Sequence, residues 1–213
     1  MLLTVHHLEN SRSQRILWML EELGMPYKVT RYERNKETML APPELRAVHP
    51  LGKSPVIVDE DGAGQPCTVA ETGAIIEYLV AKAGGILGSP DERQAALHYR
   101  YFLHYAEGSL MPPLLIKLVL GMIPLVGKIA QKRLQPMIDV HLDFVESELS
   151  ARPWFAGDTF TAADIMMSFP LEAARDRGGL DSSRPAVIAW LETIHARPAY
   201  QAALARGGPY KYA

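Results

Sequence analysis

The stretch Val5–Gly24, VHHLENSRSQRILWMLEELG, decides the fold. A short apolar run stops at Leu8, and a polar patch follows, Glu9-Asn10-Ser11-Arg12-Ser13. Ile16, Leu17, Met19, Leu20 and Leu23 then recur at helical spacing until Gly24 and Pro26 end the pattern. A strand therefore hands over to a helix across hydroxyls, an amide and an arginine. Such a junction is either a simple cap or a place where a helix N-terminus meets an anion.

Outward from this junction, residues 1–83 alternate between strand-like and helix-like pieces. Leu2–Leu8 reads as a first strand, Ser11–Leu23 as a helix and Pro26–Glu33 as a second strand. Residues 36–48 form an irregular or short helical connection. Pro55–Asp59 is a third strand, and the turn signal EDGAGQP leads to a fourth, CTVA, as a hairpin. A helix opening at Thr72 closes at Gly84-Gly85. The order β-α-β-x-β-β-α implies a mixed four-stranded sheet: a parallel pair joined by a right-handed crossover, with an antiparallel edge. After GGILGSPDE the strand signals vanish, and helices are expected at about 91–119, 125–149, 162–176, 184–196 and 198–206. The expected organisation is an α+β domain over 1–83, a linker over 84–90 and an all-α domain over 91–213. Within GDTFTAADIMM, Thr161 suits an N-cap with Asp164 three residues on, and Phe160 and Ile165 are placed for a hydrophobic staple.

Bulk composition narrows the function. The chain has 213 residues, 48% hydrophobic and 22% charged, with a net charge of -2. That balance disfavours a nucleic-acid partner. The apolar segment PPLLIKLVLGMIPLVGK is interrupted by Lys117 and Pro124 and is shorter than a membrane span, so no membrane partner is expected. MLLTVHHLE lacks the features of a signal peptide. The single cysteine, Cys67, excludes an intrachain disulfide, fits a reducing, cytoplasmic compartment and reads as a buried small hydrophobe. His6, His7, His49, His98, His104, His141 and His195 show no HxxxH spacing, so no metal site is expected.

Four motifs in order, NSRSQR, HPLGKSPV, AETGAIIEYL and GDTFTAAD, resemble those of glutathione S-transferases, and the resemblance spans nearly the whole chain. The detail of HHLENSRSQRILWMLEEL and LAPPELRAVHPLGKSPV is similar to a bacterial and fungal serine-type-like subgroup. The resemblance implies a thioredoxin-like first domain that binds glutathione and a helical second domain that lines an electrophile site. It also implies a cytoplasmic homodimer acting in detoxification.

Glutathione carries two carboxylates, an α-amine and a thiol, and such a site must lower the thiol pKa. Bringing a thiol from about 8.5 down by two units takes about 2.7 kcal/mol of thiolate stabilisation. The resemblance assigns that role to Ser11, with Asn10 second; both also suit a plain N-cap. No Tyr lies in residues 1–26, so a tyrosine-type site is excluded. Ser54 before a cis Pro55 would present its backbone to the peptide as an added strand does. Lys53, helped by His49, would face the glycine carboxylate. Thr72 would cap the helix that binds the γ-glutamyl carboxylate, and Glu71 would pair with the α-amine. Tyr105, Met111, Leu114, Leu115 and Leu118 are the expected walls for a small hydrophobic electrophile; ordinary core packing is the competing reading. The expected activity is conjugation of the thiolate of glutathione, a cosubstrate. Peroxide reduction at the same site and a non-catalytic glutathione-binding or regulatory module are the alternatives.

Overall fold

A computed structural model describes residues 2–60 and 65–212; the expected turn at 61–64 lies outside the described residues. The chain divides into two compact units, Met1–Gly88 with Ala196–Lys211, and Ser89–His195 with Tyr212.

The first unit is built on a mixed sheet of strand order β2-β1-β3-β4: β1 Leu2–Leu8, β2 Tyr27–Tyr32, β3 Val56–Glu60 and β4 Cys67–Ala70. β1 runs parallel to β2, with Leu3 opposite Tyr27, and antiparallel to β3, with His6 opposite Val56. β3 and β4 form the antiparallel hairpin. Helix α1 spans Gln14–Glu22, α2 is the single turn Leu45–Val48, and α3 spans Thr72–Lys82.

Helix α9, Pro198–Gly207, packs against α1 in this unit, although its position in the sequence suggested the all-helical half. The reason lies in α1, whose residues Ile16 to Leu20 are all buried. A helix apolar on every side needs cover on every side, and α9 supplies it. Trp18 meets Tyr200 edge to face, with centroids 5.2 Å apart. The Arg197 guanidinium donates to both oxygens of Glu22, at 2.6 and 2.8 Å.

The second unit contains α4 Arg93–Tyr105, α5 Met111–Gly121, α6 Gly127–Ala151, α7 Ala162–Ala173 and α8 Pro185–His195. The single helix expected at 91–119 is interrupted by a π-helical turn, Ala106–Leu110, between α4 and α5. Pro112 and Pro113 follow at the start of α5. Neither can donate a backbone N–H, so the regular ladder cannot pass through them. At the start of α7, Thr161 Oγ1 accepts from the Ala163 N–H at 3.3 Å, and Asp164 Oδ2 accepts from the Thr161 N–H at 2.9 Å. Asp164 Oδ1 also accepts the Phe155 N–H at 3.0 Å, so the cap fixes the preceding loop as well.

Cys67 is exposed, contrary to the buried position expected from its type. β4 is the edge of the sheet, and its first two residues lie open.

Candidate active site

In the first unit, four pieces of chain meet at the C-terminal end of β1. Ser54 Oγ accepts the Leu8 N–H at 3.2 Å and donates to the His6 carbonyl at 2.8 Å, tying the loop before β3 to β1. The Ser54–Pro55 bond is cis, and no hydrogen bond among the described residues engages the Ser54 backbone N–H or C=O. Arg15, buried in α1, donates through Nη2 to Thr72 Oγ1 at 3.4 Å, linking the start of α1 to the start of α3.

The junction loop is closed on itself. Ser11 is 6% exposed, and its hydroxyl donates to the Leu8 carbonyl at 2.7 Å. The same oxygen accepts the Ser13 N–H at 3.2 Å and lies 2.7 Å from Ser13 Oγ. The Gln14 N–H reaches the Ser11 carbonyl and the Arg15 N–H reaches the Arg12 carbonyl. The open first-turn N–H groups expected at this helix start are thus taken up by the loop. Ser13 occupies the N-cap of α1. Its hydroxyl stands 2.9 Å from His7 Nδ1. Burial, then the charge of Arg31, push the His7 pKa down to about 4, so the imidazole is neutral and Nδ1 accepts the Ser13 proton. His7 also hydrogen-bonds the Gly207 backbone.

Asn10 is different. Its φ of 48° is a left-handed conformation that asparagine tolerates. Oδ1 accepts the Lys211 backbone N–H at 2.7 Å. Only the oxygen end of a carboxamide can meet an N–H donor, so the NH₂ is the other end. That NH₂ has no acceptor among the described residues.

Glu71, not Thr72, is the N-cap of α3, with φ 74° and no side-chain capping bond. Thr72 is the first helical residue, buried, with its hydroxyl engaged by Arg15. The N–H groups of Thr72, Gly73 and Ala74 have no carbonyl a turn earlier inside α3. Nothing stands within 4 Å of where a Gly73 Cβ would be, so there is room for a side chain at that position. Lys53 is exposed, with no ion pair among the described residues. The His49 ring accepts the Leu51 N–H at 3.4 Å within its own loop.

The second unit has a shallow cavity of about 460 Å³ lined by Leu97, Arg100, Tyr101, His104, Tyr105, Gly108 and Ser109. Tyr105 is the one expected wall residue among them. Its hydroxyl is hydrogen-bonded to His141 Nδ1 at 2.6 Å, and burial raises its pKa. Met111 and Leu114 are buried within the unit and do not line the cavity; a Cβ at Gly178 would stand 2.7 Å from Leu114 Cδ2. They pack as core, while Leu115 and Leu118 are 47% and 44% exposed. The lining residues missed from sequence, Leu97, Tyr101, His104 and Gly108, follow helical spacing on one face. That pattern was present in the sequence, but polar and aromatic types hid it from an apolar count.

Residues 11–82 match the family model of the glutathione S-transferase N-terminal domain, and residues 110–198 that of the C-terminal domain. The chain is 37% identical over 212 residues to glutathione S-transferase 3 of Schizosaccharomyces pombe, covering 93% of this chain and 85% of that protein. It is 35% identical over 220 residues to glutathione S-transferase 1 of Saccharomyces cerevisiae, covering 94% and 93%. The crystal structure of a glutathione S-transferase from Actinobacillus pleuropneumoniae matches with a TM-score of 0.85 at 31% identity, covering 99% of this chain and 95% of that one. The chain belongs to the glutathione S-transferase family.

Proposed function

We propose that the protein is a glutathione transferase in which the Asn10 amide, ahead of Ser11, stabilises the glutathione thiolate. The observation that carries this reading is the Asn10 side chain: its oxygen is held by the Lys211 N–H, and its NH₂ has no acceptor among the described residues. The Ser11 proton is already given to the Leu8 carbonyl, so offering it to sulfur costs a buried hydrogen bond. The open Ser54 backbone suits the peptide of the tripeptide, pairing like an added strand. The first-turn N–H groups of α3 suit the γ-glutamyl carboxylate, and Glu71 suits its amine. Lys53 suits the glycine carboxylate, with His49 beside it. The bound thiolate then attacks an electrophilic carbon. The protein contributes orientation and anion stabilisation rather than a nucleophile of its own.

The electrophile belongs over the Tyr101 and Tyr105 rings, with Leu115 and Leu118 as further apolar contacts. A homodimeric, cytoplasmic detoxification enzyme completes the reading. Sedimentation equilibrium tests the dimer, and a monomer at all concentrations would remove it.

The thiolate absorbance of bound glutathione, followed against pH, tests the central assignment. The expected result is a thiolate signal at neutral pH in wild type and in Ser11→Ala. In Asn10→Ala the thiol pKa should rise by about one unit or more, with turnover at neutral pH about tenfold lower. Loss of the signal in Ser11→Ala with Asn10→Ala unaffected would reverse the assignment. Binding without any thiolate signal in wild type would make the protein a glutathione-binding module.

A further inference from the structure

From Gly108 to Ile138 the sequence contains no acidic residue and four cations, Lys117, Lys128, Lys132 and Arg133, in a chain whose net charge is -2. This stretch forms the α5–α6 hairpin of the second unit. Its turn is tight: a Cβ at Gly127 would stand 2.1 Å from the Leu120 carbonyl oxygen. Leu125, at the tip, has φ 65° and is 93% exposed. Met122 is 71% exposed, and Ile123, Val126 and Ile129 are exposed beside it. A cluster of large apolar side chains projecting into water marks a contact surface.

The charges say what it contacts. Lys117 is turned back to donate to Gln135 Oε1. Lys128, Lys132 and Arg133 are exposed on the first turns of α6, and none has an ion pair among the described residues. The next acids along α6, Asp139 and Asp143, are engaged by Arg184. A tip-to-tip contact with a second copy would bring two sets of these three cations together, with no carboxylate in the stretch to meet them. An anionic lipid surface meets both demands at once. It receives the apolar tip at the headgroup–acyl boundary and the cations at the headgroups. No described helix is long and apolar enough to cross a membrane.

We propose that the α5–α6 tip is an interfacial docking site for anionic membrane surfaces. This proposal is independent of the glutathione site. Sedimentation of the full chain with vesicles tests it, using phosphatidylcholine alone and phosphatidylcholine with a third of the lipid replaced by phosphatidylglycerol. The protein should partition onto the anionic vesicles, less onto the neutral ones, and be released by high salt. Replacing Lys128 and Lys132 by Gln should weaken partitioning about fivefold per charge removed. Leu125→Asn should weaken it about tenfold or more. Asparagine suits a left-handed φ and the side chain touches little, so that variant keeps the fold; its unfolding temperature and thiolate signal should match wild type. Failure to bind either vesicle overturns the proposal. So does a fall in the sedimentation-equilibrium mass of Leu125→Asn without any vesicle binding, which would make the tip a self-association surface.

Discussion

His7 anchors a small polar system next to Asn10 in the chain. His7 holds Ser13, Ser13 lies against Ser11, and Ser11 closes on the Leu8 carbonyl beside Asn10. Protonating His7 would reverse its bond to Ser13, because a protonated ring has no lone pair for the Ser13 hydroxyl, which would turn to the Leu8 carbonyl instead. The folded His7 pKa, about 4, lies below the ordinary 6.5, so between those values the unfolded chain binds more protons than the native one. The stability this group contributes is complete above pH 6.5 and is lost as pH falls towards 4, by about 3 kcal/mol. His7→Gln should therefore lower stability at neutral pH and flatten the acid limb. Urea midpoints from pH 4 to 7.5 check it; an unchanged acid slope would detach His7 from the loop.

Asp164 has the opposite sign, and its effect belongs to α7 as an element. Burial outweighs the hydrogen bonds it accepts and raises its pKa to about 6. The native state then binds more protons than the unfolded one between about pH 4 and 6, so stability from this group falls as pH rises through that window. Asp164→Asn should remove this effect and leave a steeper acid loss. Asp164→Ala should cost about 2 kcal/mol or more at neutral pH, because the Phe155 and Thr161 N–H groups lose a buried acceptor. Chemical denaturation of both variants across the same pH range tests the pair; a pH-independent difference between wild type and Asp164→Asn would contradict the raised pKa.

Legibility followed locality. β1, α1, the β3–β4 hairpin partners and the α7 cap were readable because period, turn residues and caps act over a few residues. Asn10 was readable as a candidate, but not its proposed rank above Ser11. That ranking depends on Lys211, 201 residues away in sequence, holding the oxygen of its amide. The exposure of Cys67 depends on β4 being an edge, a property of the sheet and not of the strand. The π turn was foreshadowed by Pro112-Pro113 but does not show in a helical period. Met111 and Leu114 looked like any apolar helical residues, and only packing told core from cavity wall.

At the scale of the molecule, the first unit is discontinuous: Met1–Gly88 is completed by Ala196–Lys211. Removing the Arg197 side chain should cost about 1.5–3 kcal/mol through the paired bonds to Glu22. Urea unfolding of Arg197→Ala checks this; a loss no larger than that of an ordinary surface arginine would mean α9 is held by its other contacts, Trp18–Tyr200 and Arg206–Glu21 among them.

The split unit also sets an order of events during synthesis. Glu22 and its partner Arg197 lie 175 residues apart. At ribosomal speeds the last helix emerges on the order of ten to thirty seconds after the first. For that interval the nascent chain carries Trp18 and its apolar neighbours without their cover, while the intervening helical unit, continuous in sequence, is free to fold. The half of the protein translated first is the half completed last.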